Sequence, residues 1–555
     1  MIGVHAKKHE AEIVAEFFEL FKTPWEFFDK NHSYDVLIST KEDFGAIDAK
    51  LVIIYDSSQN PFDSSEGIKT KFISNDKFLQ VGDVQIPIYG QLSAITGHGI
   101  PLLQILNIVD SSGLEIHRPD QCIIRIGYDL FDEVLFLLSN GQPPENALIP
   151  TLDLHISTLR NLILRSSIPL VEIPPVPAGH NFITCLTHDI DFIRIRDHKF
   201  DHTMWGFLYR CIVGTLIDVF KGERDWKDLY QNWKAVVTLP FVYLGLLQDF
   251  WFQFDRYMEI ERAMDARSTF FLIPFKNRVG EKVSGKISQR RASKYDITDI
   301  PDVVRKLIDH GFEVGVHGID SWHNTKAACK EKARIADISG KKDVGIRMHW
   351  LCFDKNTFQT LEEAEFSYDS TFGYNDAVGY RAGTAQAFRP IDVKNILELP
   401  LNIQDIALFN PKHMSLNKYE AWKRCQDLIE KASSNGGILT ILWHDRSLSP
   451  ERLYEDFYIK LLNELKNKKV WFATAMEACN WFNNRRAAKY GNIEIDENVV
   501  HIKMLTDNKD SQPPMKMRIY HPAINHQSTN YIDVPWRGEN ELSISVSNLK
   551  GLKTA

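Results

Sequence analysis

The chain of 555 residues lacks several features that mark specialised classes of protein. Its seven cysteines never form a Cys-x-x-Cys pair, which argues against a disulfide framework or a structural zinc site and favours reduced thiols. A formal net charge of −8 argues against a bulk nucleic-acid binder, because the phosphate backbone requires a basic surface. No uninterrupted run of about 18 apolar residues is present, and no basic segment followed by an apolar one opens the chain. We therefore expect a cytoplasmic protein without a spanning helix.

The residues that are present indicate a globular protein of several domains, with 44% hydrophobic and 25% charged residues. Residues 1–175 mix strand-like runs with helical stretches and predict an α/β domain. The Pro-rich stretch 173–179, IPPVPAG, marks a boundary. Between 176 and 488, apolar strand cores alternate with amphipathic helices, which favours a parallel sheet, either a barrel or an open doubly wound sheet. Residues 489–555 turn to alternating strands and predict a small β-rich appendage.

Residues 200–258 interrupt the strand–helix alternation of the middle region. They hold apolar helical runs and four of the twelve tryptophans. One interpretation is a helical insertion that packs on the barrel; another is a lid, or a surface that meets a lipid-linked substrate or a membrane face. Because the segment follows the carboxyl end of the first strand, where barrel active sites lie, we expect it near the site.

Two acids stand one residue apart at the end of an apolar run, in the sequence CLTHDID, 185–191. Side chains at positions i and i+2 of a strand face the same way, so Asp189 and Asp191 can converge on one point. Acids so placed can divide the work, one holding a metal ion and the other acting as a general base. Taken alone, the pair is more typical of a helix N-cap or an Asx turn.

A second run, EVGVHGIDSWHN, also ends on chemically useful side chains. His317 closes its apolar part, and His323 follows six residues later with Asp320 between them. An aspartate with two neutral imidazoles can hold a zinc-like ion and leave a position for water, whose pKa then falls towards neutrality. A histidine after a strand is as often structural, so this motif needs the others for support.

Three later runs place further polar residues at expected strand ends. GIRMHWL contains Arg347 and His349, FSYDSTFGY contains Asp369, and LTILWHDRS contains His444 followed by Asp445. An arginine near two acids would lower the pKa of the base and orient it. A histidine at the end of an apolar strand is well placed to protonate a leaving amine, with an acid nearby raising its pKa.

The order of these motifs resembles the polysaccharide deacetylase family, also called NodB-homology or carbohydrate esterase family 4. THDID is similar to the first motif of the family, usually TFDDG, which implies that Asp189 is the catalytic base and Asp191 a metal ligand. HGIDSWH resembles the second motif, usually H-S/T-x-x-H, which implies that His317 and His323 are metal ligands.

The resemblance extends over roughly residues 180–485. Arg347 matches the arginine of the third motif, which implies that it holds the base ionised. Asp369 is similar to the fourth motif, and LTILWHD resembles the last, which implies that His444 is the acid, oriented by Asp369 or Asp445. The family implies a deformed (β/α) barrel, here between an N-terminal α/β domain and a small C-terminal β appendage.

Three departures from the family pattern bear on the metal ligands. Ile190 stands where the usual ligand aspartate lies, so Asp191 takes that role from one residue further on. The histidine pair is two residues longer than usual, so that Asp320 can replace His323 as third ligand. His349 replaces the usual proline of the third motif and can itself reach the site.

The resemblance implies a hydrolase that removes an N-acetyl group from an amino sugar with one divalent ion, zinc in the first place and cobalt, nickel or manganese after it. The expected substrate is an N-acetylated glycan, a nucleotide sugar or a lipid-linked sugar, with peripheral contact of 200–258 with a membrane and no nucleic-acid partner. Two alternatives stay open: a metal-free amidohydrolase acting on a ureide or cyclic imide, and a catalytically silent glycan-binding protein.

Overall fold

The computed structural model describes residues 1–41, 49–74, 77–222, 224–282, 291–496, 499–505, 512–521 and 530–545. The chain divides into two compact units. The first comprises Met1–Gly179, Ala382–Ile391 and Trp481–Ala555, and the second comprises His180–Arg381 and Asp392–Asn480. The expected appendage 489–555 therefore does not stand as a unit of its own, and its last ten residues lie outside the described part of the chain.

The first unit is built on a mixed nine-stranded sheet. Across the sheet its strands are Trp25–Phe27, Ile2–His5, Tyr34–Ser39, Ala49–Tyr55, Gln121–Ile126, Ser111–Arg118, Ile100–Ile105, Phe78–Val81 and Val84–Pro87. The first five pair in parallel and the remainder antiparallel. The helices of this unit are Ala11–Phe21, Pro61–Ser65, Leu130–Ser139 and Thr151–Arg165.

Three smaller sheets complete the described part of the first unit. They consist of Leu170–Glu172 with Met515–His521 and Asn530–Trp536, of Lys489–Asp496 with Val499–Leu505 and Glu541–Ser545, and of Lys69–Ile73 with Leu92–Thr96. The second of these sheets contains alternating strands that the sequence predicted after residue 489.

The second unit holds a sheet in which every neighbouring pair of strands is parallel. Across the sheet the strands are Leu397–Glu398, Tyr368–Asp369, Ile346–Met348, Glu313–Gly318, Thr269–Leu272, Ile183–Ile190, Ile438–Leu442 and Leu401–Gln404. A short strand, Trp471–Phe472, also pairs with Ile183–Ile190. The parallel sheet predicted from the alternation of strands and helices is therefore confirmed.

The two end strands of this sheet are successive parts of one stretch, 397–404. One part pairs with Tyr368–Asp369 and the other with Ile438–Leu442. Pro400 separates them, since proline has no N–H to donate to a sheet. One stretch of chain thus supplies the strands at both ends of this parallel sheet.

Helices connect the strands of the second unit, and their ends follow local sequence signals. Besides the helices within 202–243, the described helices are Phe254–Arg262, Pro301–Asp309, Thr325–Ser339, Thr357–Glu363, Asp405–Phe409, Lys418–Asn435, Glu455–Asn467 and Ala475–Ala487. The helix after residue 324 shows why these segments form. Asn324 caps its first turn by accepting from the Ala327 N–H, and Gly340 ends it in the left-handed conformation.

The insertion 200–258 is helical. The helices His202–Tyr209 and Thr215–Phe220 are joined by a π-helical turn, Arg210–Gly214, and are followed by Trp226–Tyr243. Their shared core includes Phe207, Cys211, Leu239 and Trp251. By length and composition, one segment of the described chain, His202–Phe220, is apolar enough to cross a membrane, and 28% of its most apolar window is buried.

Candidate metal centre and active site

Three side chains from the ends of separate strands meet in the second unit. The ligand atoms of Asp191, His317 and His349 lie within 4.8 Å of one another. Asp191 Oδ1 lies 3.3 Å from His317 Nε2 and 3.1 Å from His349 Nε2. That oxygen is buried and lacks a hydrogen bond of good geometry. One carboxylate and two imidazoles are a donor set typical of zinc enzymes with an open position, so these residues fit one divalent ion.

The protonation of this cluster also suits a cation. Burial lowers the pKa of His349 to about 4, against the opposing effect of Asp191. Burial alone would raise the pKa of Asp191, but the imidazoles of His349 and His317 hold it well below its usual range. His317 Nδ1 lies 3.1 Å from the carbonyl oxygen of Arg347, which can only accept, so this nitrogen donates and Nε2 is left as the ligand atom.

His323, the expected third ligand, does not reach this cluster. Its Nε2 lies 3.4 Å from Asp320 Oδ1, and that oxygen also accepts from the Glu281 N–H at 2.8 Å. The Glu331 carboxylate holds the same loop by accepting from the backbone N–H groups of Ile319 and Asp320, each at 2.9 Å. The structure thus brings neither His323 nor Asp320 to Asp191; of the three alternatives weighed from the sequence, His349 occupies the third position.

The expected base and its arginine do meet. Arg347 Nη1 donates to Asp189 Oδ1 at 3.2 Å and to Thr187 Oγ1 at 2.6 Å. Ser370 holds the other side of the guanidinium, accepting from Nε with its carbonyl at 2.8 Å and from Nη2 with its hydroxyl at 2.7 Å. Arg347 and Asp189 are both buried, so the carboxylate is oriented and its negative charge is compensated. Asp189 Oδ2 lies 3.9 Å from His317 Nε2, beside the metal cluster.

His444 lies on the other side of the site and is paired with an acid that the sequence analysis missed. Its Nδ1 is 2.6 Å from Asp405 Oδ1, and its backbone N–H donates to Asp405 Oδ2 at 2.9 Å. The Ser447 hydroxyl also donates to Asp405. Burial works against protonation, but Asp405 in the first place and then the carboxylates of Asp191 and Asp189 raise the pKa of His444 to about 9. The imidazole is therefore an acid at neutral pH, with Nε2 carrying the available proton.

A sequence signal for Asp405 does exist. It follows the Leu401–Gln404 strand directly, as Asp191 and His349 follow theirs. The run ILELPLNIQD ends on this acid just as LTILWHD ends on His444 and Asp445. Reading every strand end of a parallel sheet for a polar side chain would have included it.

Asp369, expected to orient His444, has a different set of partners. Its Oδ1 accepts from the Ser370 N–H at 2.9 Å and from the Thr371 hydroxyl at 2.5 Å. Thr371 in turn accepts from the Met348 N–H at 3.0 Å, next to the ligand His349. Asp369 thus supports the strand end that carries Arg347 and His349, and the orientation of His444 belongs to Asp405.

Asp369 also belongs to a buried pair of acids. Burial raises the pKa of Asp369 to about 6, and burial together with Asp369 raises the pKa of Glu398 well above its usual range. Asp445, the other candidate partner of His444, accepts from the Phe192 N–H at 3.1 Å. Burial raises the pKa of Asp445 to about 8, against the opposing charge of Arg446.

Buried hydroxyl groups fix the backbone around the site. Tyr295 donates to the carbonyl of Ile190 at 2.5 Å, and Ser293 donates to the carbonyl of Asp191 at 2.9 Å. Tyr257 donates to the carbonyl of His444 at 2.7 Å. The backbone at Asp191 and at His444 is therefore held by side chains from other segments of the unit, which preorganises the geometry of both residues.

Comparison with known proteins places this chain beside polysaccharide deacetylases only distantly. No family model matches the sequence, and no curated protein matches it. Among solved structures, a protein from Mycobacterium smegmatis assigned as a polysaccharide deacetylase is 15% identical, covers 56% of this chain and 94% of its own, and gives a TM-score of 0.35.

Two further structures show the same distant likeness. A peptidoglycan N-acetylglucosamine deacetylase is 12% identical over 54% of this chain and 88% of its own, with a TM-score of 0.24. A carbohydrate esterase family 4 pseudoenzyme from Bacillus anthracis is 12% identical over 55% of this chain and 69% of its own, with a TM-score of 0.25. Likenesses this low carry no argument about this chain.

Proposed function

We propose that the protein is a metal-dependent hydrolase that removes an N-acetyl group from an amino sugar. The observation that carries this proposal is the convergence of three parts: a carboxylate–imidazole cluster at Asp191, a carboxylate held by Arg347, and His444 paired with Asp405. Hydrolysis of an unactivated amide needs all three, because water must be deprotonated, the oxyanion stabilised and the amine protonated as it leaves.

The chain's own residues supply both proton transfers. Asp189, oriented by its hydrogen bond from Arg347, accepts a proton from the attacking water. His444, whose Nδ1 is bonded to Asp405, donates from Nε2 to the departing nitrogen. Asp191, His317 and His349 would hold the divalent ion, zinc first, with cobalt, nickel or manganese as alternatives. Such an ion, when bound, activates water and polarises the amide carbonyl.

The sugar part of the proposal rests on the motifs and on one exposed ring beside the site. Trp350 directly follows His349, is 39% exposed, and has a left-handed φ of 65°. Its carbonyl accepts from the Asn375 side chain at 3.2 Å. A backbone conformation that is rare for a bulky residue puts an aromatic face next to a metal ligand, a surface suited to stacking on a sugar ring. We propose a glycan precursor carried on a nucleotide or a lipid as substrate, and the cytoplasm as location, which cell fractionation tests.

The test combines metal analysis with release of acetate. Purified protein should contain about one divalent ion per chain, and Asp191→Ala and His349→Ala should lose it. His323→Ala is the matched control, since it removes a nearby imidazole outside the cluster, and it should keep the ion. Zinc-loaded protein should release acetate from N-acetylglucosamine oligomers.

Three outcomes would contradict this proposal in different ways. Loss of the ion in His323→Ala but not in His349→Ala would assign the third ligand to His323. Absence of any ion after reconstitution would favour the metal-free amidohydrolase, to be assayed on ureides and cyclic imides. An ion without hydrolysis, together with an unchanged glycan affinity in Asp189→Asn, would favour the silent glycan-binding protein.

A further inference from the structure

A cavity of about 550 Å³ lies in the second unit, between the insertion and two other segments, 409–420 and 451–454. Its volume is in the range of ligand-binding pockets. The insertion contributes side chains from both sides of its π-helical turn, and such turns are frequent at functional sites. No residue of the metal cluster, the base or the acid lines this cavity.

The charge of the lining is opposite to that of the chain. Among the described residues of the lining, five basic side chains face three acidic ones, although the protein as a whole has a net charge of −8. The basic residues are Arg210, Lys221, Arg224, Lys418 and Arg452. A surplus of cations concentrated in one concave place favours an anionic ligand.

Each acid at this cavity has a partner, and one of them, Asp218, pairs with a cation of the lining itself. Asp218 lies 3.4 Å from Arg224 Nε, and Glu420 Oε2 accepts from the Asn417 N–H at 3.1 Å. Glu451 Oε2 accepts from the Ser449 hydroxyl at 2.7 Å and from the Trp251 indole at 3.3 Å. Among the acids of the lining, Glu451 Oε1 is buried without a hydrogen-bond partner in the described part of the chain. The three acids together offset part of the basic charge.

Two of the arginines have unused donors inside the protein. Arg210 Nε and Arg224 Nη1 are buried without a hydrogen-bond partner among the described residues. Arg224 is otherwise held, since its Nη2 donates to the carbonyl of Arg452 at 3.2 Å. Burial and the nearby charge of Arg452 lower the pKa of Arg210 to about 10. Buried donors without partners are costly, and a negative charge in the cavity beside these two guanidinium groups would offset part of that cost electrostatically.

The cavity is also connected to the proposed chemistry. Phe409, which lines it, lies on the short helix Asp405–Phe409, about 6 Å along the axis from the partner of His444. Tyr454 stacks on Phe409 with ring centroids 4.2 Å apart. A ligand in this cavity therefore contacts the helix that begins with Asp405.

We infer that this cavity binds the phosphate or diphosphate group of a carrier to which the N-acetylated sugar is attached. The inference rests on the proposed function and specifies its substrate class. Guanidinium groups suit the geometry of phosphate oxygens, and several of them together suit an anion of more than one charge. A nucleotide and an isoprenoid lipid both present this chemistry.

The surroundings of the cavity favour the lipid carrier. Tyr209 lines it and is 61% exposed, and the same helical segment exposes Trp205, Ile217 and Phe220. Exposed tryptophan and tyrosine beside aliphatic side chains are typical of surfaces that meet lipid. An isoprenoid chain leaving the cavity would have an apolar surface to follow.

The experiment is calorimetric titration of inorganic pyrophosphate into the full-length protein after removal of metal by a chelator, so that the metal cluster does not bind the probe. Wild type should bind, and Arg210→Gln/Arg224→Gln should raise the Kd at least about tenfold, because two charge-assisted hydrogen bonds are lost. Lys221→Gln/Lys418→Gln changes only exposed residues, so it can test the cavity even if the arginine variant does not fold. It should also weaken binding. The matched control Arg305→Gln/Lys342→Gln removes two exposed cations elsewhere and should leave the Kd unchanged.

Three further probes separate the carriers. Tighter binding of farnesyl diphosphate than of pyrophosphate or uridine diphosphate would identify a lipid carrier, and tighter binding of uridine diphosphate would identify a nucleotide. The third probe is co-sedimentation with vesicles of phosphatidylcholine and phosphatidylglycerol. If wild type sediments with the vesicles and the arginine variant does not, the ligand is a phospholipid headgroup, and the inference of a sugar carrier is overturned.

The two proposals fail separately. Absence of pyrophosphate binding, or equal binding by wild type and both cavity variants, would overturn the inference even if acetate is released. Specific pyrophosphate binding without release of acetate from any N-acetylated sugar would overturn the proposed function and leave the cavity as an anion site.

Discussion

Side chains at the strand ends of the parallel sheet differ in burial and pairing from those of the helical insertion. At the strand ends, Asp189, Arg347 and Asp405 are buried, and each has a charged partner within hydrogen-bond distance. In the insertion, large apolar side chains such as Trp205 and Phe220 are exposed at 58% and 77%. Buried charge is stable only with fixed partners, whereas exposed apolar surface persists where something outside the chain covers it. The first region is organised by internal pairing, and the second is suited to contact with another molecule.

The sharpest way to test the strand-end region is to remove the base. Asp189→Asn keeps the shape of the side chain but cannot accept a proton, so we expect acetate release to fall about 10³-fold. Asp302→Asn, a change at an exposed acid, should leave the rate unchanged. Rates measured with N-acetylglucosamine oligomers decide this; equal rates for wild type and Asp189→Asn would remove Asp189 from the mechanism.

Replacing Arg347, the cation of the buried pair with Asp189, tests the stability of the protein instead of its activity. Arg347→Leu leaves the Asp189 carboxylate buried without its cation, and we expect the free energy of unfolding to fall by about 3–5 kcal/mol. Arg305→Leu changes an arginine whose side chain is 71% exposed, and it should change the free energy of unfolding by less than about 0.5 kcal/mol. Chemical denaturation of the full chain measures both, and similar midpoints for the two variants would mean that the buried pair does not hold the strand ends.

The pair formed by His444 and Asp405 should determine how the activity depends on pH. Asp405 is the main cause of the raised pKa of His444, about 9, so the protonated imidazole persists at neutral pH and activity should decline as the pH rises through about 9. In Asp405→Asn the imidazole loses its proton at lower pH, so this decline should move to lower pH, with about 10²-fold less activity at neutral pH. Asp445→Asn is the comparison at one of the two acids expected from the sequence, and a shift there without one in Asp405→Asn would reverse the assignment.

The smallest effect is expected in the insertion. Trp205 is largely exposed, so Trp205→Ser should change the free energy of unfolding by no more than about 0.5 kcal/mol. Trp443, which is fully buried and stacked on Phe457 and Tyr458, gives the contrast, since Trp443→Ser should cost about 3–5 kcal/mol. Should Trp205→Ser prove as destabilising as Trp443→Ser, the exposed surface of the insertion would be part of the core.

Many residues of the candidate site can be predicted from the sequence because they lie at strand ends. Asp189, Asp191 and His317 follow or end apolar runs, and parallel strands bring their carboxyl ends to one edge. Arg347 pairs with His317 in register across neighbouring strands, so their proximity follows once the strands are recognised as adjacent. These are local patterns joined by one general rule of parallel sheets.

The identity of the third ligand could not be obtained in that way. Resemblance to the second family motif favoured His323, but the loop between His317 and His323 is anchored by Glu331 and turns this histidine towards Asp320. His349 comes from the neighbouring strand, and its ring centroid lies 4.9 Å from that of His317. The contact depends on the pairing of two strands and not on any motif within one.

By itself, the sequence determined the strand–helix alternation of the second unit and the acids, histidines and arginine at its strand ends, because hydrophobic periodicity and residue chemistry are local properties. Only the tertiary structure decided that His349 joins Asp191 and His317, that Asp405 orients His444, and that Arg210 and Arg224 face one cavity. These groupings combine side chains from segments far apart in the chain. Strand register and loop anchoring set the distances between them, and neither can be read from spacing along a single chain.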